Sequence, residues 1–212
     1  ILSRNRPDYL REALDSVLKQ NHSLIKFEII VSDNSDNEDV CKMIDGDYAQ
    51  KNIKYIRRSG ITSHMGHTQL VVSELNSEYS VIFHDDDILH PDYMSVMSSF
   101  LNNNDIVAVG CNCMIFRDNV LDSNRLGIRN VSSSIKFNNE KDFLERYLPG
   151  NGGAAPFPSY MYRTKYLKQA MLKVFVTGKC ADASILSSLL NYGTIVWLEK
   201  PLMYYRIHAS ND

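Results

Sequence analysis

A run of strand-forming apolar residues, Val81, Ile82 and Phe83, stops abruptly at three consecutive carboxylates, Asp85, Asp86 and Asp87, with Pro91 a few residues on. Three adjacent aspartates repel one another, which costs stability unless solvent, basic groups or a cation offsets the charge. A hard divalent cation does this well, since Mg²⁺ or Mn²⁺ prefers carboxylate oxygens and keeps positions open for substrate phosphates. The other reading is a solvated acidic turn ahead of a helix that starts near Pro91. Position favours the metal site: the triplet follows a buried-looking strand, is flanked by His84 and His90, and stands where ligands of α/β sheets bind.

The rest of the chain repeats that arrangement. Ile1 to Ser3 reads as the tail of a strand leading into Asn5, Arg6 and Pro7, and Leu10, Ala13, Leu14, Val17 and Leu18 recur with helical spacing to about Gln20. Phe27 to Ser32 is a continuous apolar run ending in a second acidic turn, Asp33-Asn34-Ser35-Asp36. A helix over 38–44, a strand over 53–56 and a helix over 65–75 complete the alternation up to the triplet. This order predicts right-handed crossovers and a mostly parallel central sheet flanked by helices.

Beyond the triplet, helices are expected over 91–101, 139–148, 163–173 and 181–192. Strands are expected over 106–116, with a bulge at Gly110, and over 194–198 and 202–207. The polar stretch 117–137 reads as loop with short strands. A Gly and Pro loop over 149–159 offers a pocket wall. Its aromatics Phe157, Tyr160 and Tyr162 suit either sugar stacking or core packing. The fold class is therefore α/β, a single Rossmann-like domain over 1–212. Residues about 1–105 form one half and about 106–212 the other. The start at Ile1, inside a strand, predicts a chain truncated at its N-terminus.

Composition excludes several classes. The 23 basic and 25 acidic residues nearly cancel, giving no global attraction for nucleic acid. No apolar run approaches the roughly 18 residues of a spanning helix, so membrane contact would be peripheral. Cys41, Cys111, Cys113 and Cys180 lack zinc-ribbon spacing and disulfide density, which fits a reducing cytoplasm. Neither a P-loop nor a G-x-G-x-x-G is present, so bound phosphates would depend on a cation.

The Asn5-Arg6-Pro7 turn, FEIIVSDNSD, the DDD followed by ILHPDYM, Asp182 before a helix, and the final YYRIHASN together resemble the inverting glycosyltransferases of family 2, which have the GT-A fold. The resemblance implies a nucleotide-sugar donor, UDP-linked by preference, and a glycan or lipid-linked acceptor in bacterial surface polysaccharide synthesis. It implies that Asp33 accepts hydrogen bonds from the base, that the Ser3 to Arg6 turn, through Ser3, Asn5 and Arg6, lines the same pocket, and that Asp85 contacts the donor. Asp86 is the first metal residue implied, holding Mn²⁺ or Mg²⁺ with Asp87 and with His208 at the end of the last strand. Asp182 is the implied base; read alone, it is as well explained as a helix N-cap. Arg206 could add positive charge near the diphosphate, but its default reading is an ordinary surface arginine.

The chain departs from the family pattern in three places. His84 stands where members often carry an acidic residue, His64 and Gln69 stand where asparagines are usual, and Ala181 replaces the first of an acidic pair. A sugar-nucleotide or glycan-binding module without turnover is one rival reading, and a metal-dependent phosphohydrolase is another. The latter needs a nucleophilic aspartate after the first strand, where Ser3 and Arg4 stand.

Overall fold

The computed structural model describes residues 1–21, 25–61, 63–117, 120–148, 152–172 and 180–208, without the side chains of 120–124. Residues 149–151 of the expected loop, residue 173 of the helix expected over 163–173, and 209–211 of the final YYRIHASN lie outside the described residues.

The first half follows the alternation. Strand β1 (Leu2–Ser3) leads into helix α1 (Pro7–Leu18), which has Pro7 at its start and Asp8 in its first turn and buries Leu10, Ala13, Leu14 and Val17. Strand β2 (Ile29–Asp33), helix α2 (Asp39–Asp47), strand β3 (Ile53–Arg57) and helix α3 (His64–Glu74) follow. β1, β2 and β3 form a wholly parallel sheet, with Ser3 opposite Asp33 and Asp33 opposite Arg57. Strand β4 (Tyr79–Val81) ends earlier than its apolar run suggests. The chain over 82–84 instead lies along β1: the Leu2 amide donates to the Phe83 carbonyl at 2.9 Å, and Leu2 bridges His84 in parallel. That contact brings the Ser3–Arg6 turn beside the aspartate triplet.

The second sheet is mixed. Strand β5 (Ile88–Leu89) and helix α4 (Tyr93–Phe100) follow the triplet. Then come β6 (Ile106–Arg117), β7 (Val120–Leu126), β8 (Ile135–Phe137), helix α5 (Glu140–Tyr147), β9 (Tyr160–Arg163), helices α6 (Thr164–Leu172) and α7 (Ala181–Leu189), and β10 (Thr194–Ile207). The order is β4-β9-β6-β10-β5, with β7 on β6 and β8 on β10. Among the described residues only the β6–β10 pair of this sheet is parallel. The parallel expectation thus holds for the first sheet, and the second departs from it because several of its strands are joined without a crossover helix.

Two local expectations are corrected, and one open reading is decided. Gly110 marks no bulge: it lies flat under the Tyr160 ring, where an added Cβ would come within 2.8 Å of the ring carbons. The irregularities in the β6–β10 pairing fall instead at Val107, skipped between the Thr194 and Ile195 pairs, and in β10 between Leu198 and Met203, around Pro201, which cannot donate a ladder hydrogen bond. The two strands expected there are therefore one strand with a kink. Tyr160 and Tyr162 belong to β9 and are fully buried, so they are core and not a sugar platform.

Residues alternate between two cores along β10. Val196 and Leu198 face a cluster built with Leu10, Leu14, Val40, Tyr93 and Met97; Ile195 and Trp197 face one built with Val72, Phe143, Leu167, Ile185 and Leu186. Helices α1, α2 and α4 thus supply one core, and α3, α5, α6 and α7 the other. Among the described residues, no helix is long and apolar enough to cross a membrane.

Candidate active site

The register of β10 on β5 pairs Met203 with Leu89 and Tyr204 with Ile88, which carries Tyr205 to His208 alongside the triplet. The Arg206 amide donates to Asp87 Oδ1 at 3.0 Å, and its Nε donates to the Asp86 carbonyl at 2.8 Å. Its guanidinium also binds Glu12 and lies 4.5 Å from the Tyr9 ring centre and 4.3 Å from that of Phe116. Arg206 is therefore a buried strut that shapes the triplet's backbone, contrary to the surface role expected for it. A lone arginine in a sequence gives no sign of such packing.

From the other side the Ser3–Arg6 turn closes in. The Arg4 amide donates to Asp85 Oδ2 at 3.2 Å, and the Arg6 guanidinium spans Asp85 Oδ1 at 3.3 Å and Asp86 Oδ2 at 2.8 Å. His208 Nε2 lies 3.1 Å from the same Asp86 oxygen, its ring tilted against Tyr9. Asn5 takes a left-handed backbone (φ 57°) and ties this turn to the next one, its amide donating to Ser35 Oγ at 2.7 Å and its side chain to Asp36 at 3.0 Å. Ser3 is buried in β1 beside Asp33.

Burial dominates the electrostatics. It pushes Asp85 up to about 6 against the pull of Arg6, and with the charge of Asp86 it raises Asp87 well above the usual carboxylate range. Burial also opposes ionisation of Asp86, but His84 and Arg6 outweigh it and hold that carboxyl below its ordinary value. Burial lowers His84 to about 4, so its ring is neutral at neutral pH. Among the described residues seven buried side-chain atoms have no hydrogen-bond partner; Asp87 Oδ2 and His84 Nε2 are the two in and beside the triplet, and Ser3 Oγ lies in the adjoining turn. His84, Asp86 and Asp87 can each offer a donor atom within 4.8 Å of the others. A divalent cation fits this set: it would satisfy the two orphaned atoms and offset the carboxylate charge. Among the residues expected to hold a metal, Asp86 and Asp87 come together in this group, while His208 contacts Asp86. His84 completes the group; the sequence marked it as a flank that favours a metal site and as a departure from an acidic pattern, not as a ligand.

Asp33 is fully buried. Its Oδ1 accepts from the Ser35 amide at 2.9 Å and from the Ser35 hydroxyl, and its Oδ2 from Tyr55 at 2.7 Å and Arg57 at 3.0 Å. Asp182 sits in the first turn of α7 and is not the N-cap, which is Cys180. Its Oδ1 accepts from the Ala183 amide at 2.8 Å and its Oδ2 from the Tyr147 hydroxyl at 2.6 Å. The Tyr205 hydroxyl, pushed up to about 12 chiefly by burial, also feels the charges of Asp87, Asp86 and Asp182.

The family model for glycosyl transferase family 2 matches residues 1–170. The chain belongs to that family. It is 29% identical over 159 residues to the abequosyltransferase RfbV of Salmonella typhimurium, an alignment covering 70% of this chain and 46% of that protein. S. aureus TarS 1-349 in complex with UDP-GlcNAc has a similar structure, with a TM-score of 0.73 at 15% identity, over 99% of this chain and 58% of that one. So does the mannosyltransferase PcManGT from Pyrobaculum calidifontis in complex with GDP-Man and Mn²⁺, with a TM-score of 0.68 at 14% identity, over 99% and 56%. These structural likenesses establish the GT-A fold of this family 2 chain. The chain spans about half the length of the relatives it matches.

Proposed function

We propose that this family 2 domain carries out metal-dependent inverting transfer of a sugar from a nucleoside-diphosphate sugar to a hydroxyl of a glycan or lipid-linked acceptor, in assembly of a bacterial surface polysaccharide. A UDP-sugar is the preferred donor. The observation that carries the reading is the buried triplet at the strand ends, with Asp87 Oδ2 and His84 Nε2 unpartnered beside Asp86, in a chain whose family transfers sugars. The RfbV relative supports the sugar transfer, and the UDP-GlcNAc complex of a chain with this fold supports the donor class.

A bound Mn²⁺ or Mg²⁺ supplies charge neutralisation for the departing diphosphate. Asp86 and Asp87 would hold it, with His84 adjoining. Arg6, only 34% exposed at its side chain, adds a positive charge beside the diphosphate. Ser3 and Asn5 line the nucleotide side, Asp33 holds the wall of that pocket through Ser35, Tyr55 and Arg57, and Asp85 fixes the Arg4–Arg6 turn that faces the donor. Asp182, oriented by Tyr147 and the Ala183 amide, accepts the acceptor's hydroxyl proton. As that oxygen bonds to the anomeric carbon, the bond to the diphosphate breaks on the opposite face and the configuration inverts.

The test is a thermal-shift panel of nucleoside diphosphates and nucleotide sugars, each with Mn²⁺ or EDTA, on the wild-type protein and on Asp86→Ala. One nucleotide class should raise the melting temperature only with the cation and only in the wild type. A protein that melts cooperatively yet responds to no nucleotide would defeat the proposal, and binding without transfer to any acceptor would leave a recognition module in its place.

A further inference from the structure

We infer that His84 is the ligand that sets which cation this site takes, one imidazole nitrogen joining the carboxylates of Asp86 and Asp87 in a mixed nitrogen and oxygen set that selects Mn²⁺ over Mg²⁺. The inference rests on the metal-dependent reading above and goes beyond it by naming a ligand and the selectivity that ligand imposes.

Three independent features point to His84. Its Nε2 is buried with no hydrogen-bond partner, as is Oδ2 of Asp87, a residue only 1% exposed. Seven buried side-chain atoms are left so among the described residues, and these two belong to one group of metal-capable donors, where a bound cation would satisfy both at once. The ring is also held: it meets His64 edge-on at 5.4 Å between ring centres and Phe157 at 6.4 Å, and its backbone is bridged to Leu2 in β1. Donor atoms of His84, Asp86 and Asp87 all lie within 4.8 Å of one another, close enough to share one ion.

His208, the histidine expected from the sequence, is placed differently. Its Nε2 faces Asp86 Oδ2 at 3.1 Å and Arg6 Nη1 at 3.3 Å. That is the position of a residue orienting a ligating carboxylate, the common arrangement around bound metals. His84 therefore supplies the nitrogen and His208 supports Asp86.

The donor set carries the selectivity. Mg²⁺ is bound by oxygens and parts with its water reluctantly, whereas imidazole suits the first-row transition ions. Exchanging a carboxylate for an imidazole also removes one negative charge, weakening the site most for a cation held by charge alone.

The experiment uses EDTA-stripped protein titrated with Mn²⁺, alone and with UDP, followed by electron paramagnetic resonance with Mg²⁺ as competitor. At least about tenfold more Mg²⁺ should be needed to displace Mn²⁺ from the wild type than from His84→Asp, whose site is all oxygen. Pulsed spectra should show nitrogen coupling to bound Mn²⁺ in the wild type and in His208→Gln, and none in His84→Asp. Nitrogen coupling that survives His84→Asp, or a competition ratio that does not move, overturns the inference while the metal-dependent transferase stands. A wild-type protein that binds no Mn²⁺ under either condition, or Asp86→Ala that binds it undiminished, overturns both.

Discussion

Asp33 and Asp87 are two aspartates at the carboxyl ends of sheet segments, 0% and 1% exposed, that differ in what their oxygens meet. Both oxygens of Asp33 are engaged, by the Ser35 amide and hydroxyl and by Tyr55 and Arg57. Asp87 has one oxygen on the Arg206 amide and the other on nothing. Burying a carboxylate is expensive unless it is hydrogen-bonded and paired. The chain has met that cost locally at Asp33 and left it unmet at Asp87. A buried carboxylate that the fold completes is part of the framework; one that the fold leaves incomplete indicates a ligand.

The largest effect should come at the incomplete site. Asp86→Ala is expected to reduce sugar transfer at least about a thousandfold, on the order of 4 kcal/mol of barrier, because the cation and the charge it offsets are lost together. The melting temperature in EDTA should fall only modestly, since Arg6 keeps Asp85 when it loses Asp86. A variant that transfers sugar within tenfold of wild type would show that the triplet is an acidic turn after all.

The same contrast predicts opposite signs in stability. Asp33→Ala removes the buried carboxylate that Ser35, Tyr55 and Arg57 share, while Arg57, 30% exposed, keeps Glu38, and should cost about 2 kcal/mol in chemical denaturation. Asp87→Asn, measured in EDTA, should leave stability unchanged or raise it, since it removes a carboxyl that burial already disfavours as an ion. If both variants lost the same stability, the distinction between a completed and an uncompleted carboxylate would fail.

Much of this was legible before any coordinates, and for physical reasons. Apolar runs that end in acidic turns fix strand ends, and helical spacing of Leu10, Ala13, Leu14 and Val17 fixes α1, so the parallel first sheet and the places of Asp33 and Asp86 follow from local pattern. What was not legible depends on pairing across long separations. The fourteen residues of β10 read as two strands because Pro201 interrupts them, and only their registers on β6 and β5 make them one. Arg206 looked exposed because nothing local shows Tyr9, Phe116 and Glu12 converging on it. His84 was a departure from a pattern until the fold set its nitrogen beside Asp86 and Asp87.

A smaller effect tests how far the completed region extends around Asp33. His67 is buried, its Nε2 lies 2.8 Å from the Ser32 hydroxyl, and burial followed by the charge of Arg58 lowers it to about 4. Its folded value is thus below the unfolded value near 6.5, so the unfolded chain takes up the proton first. Stability from this group is full above about pH 6.5 and is lost as pH falls toward 4. Between pH 7 and pH 5 the loss should be on the order of 1–2 kcal/mol, and His67→Gln should flatten that part of the pH–stability curve. An unchanged slope in the variant would assign the acid sensitivity elsewhere.

Asp182 falls between the two extremes, with one oxygen on the Ala183 amide, the other on Tyr147, and partial exposure to solvent. A carboxylate used as a base needs orientation without being sealed off, and the phenol at 2.6 Å provides a donor that can give way to a substrate hydroxyl. Tyr147→Phe keeps the ring stacked on Phe143 and packed beside Trp197 while removing that one bond. It should lower kcat by up to about tenfold, roughly 1 kcal/mol, with the donor KM unchanged. In an Asp182→Asn background, where transfer is already lost, the same change should have no further effect, since two residues acting through one contact are not additive. Equal effects of Tyr147→Phe in both backgrounds would mean that the tyrosine merely props α5 against β10, and that Asp182 belongs with Asp33 among the completed carboxylates.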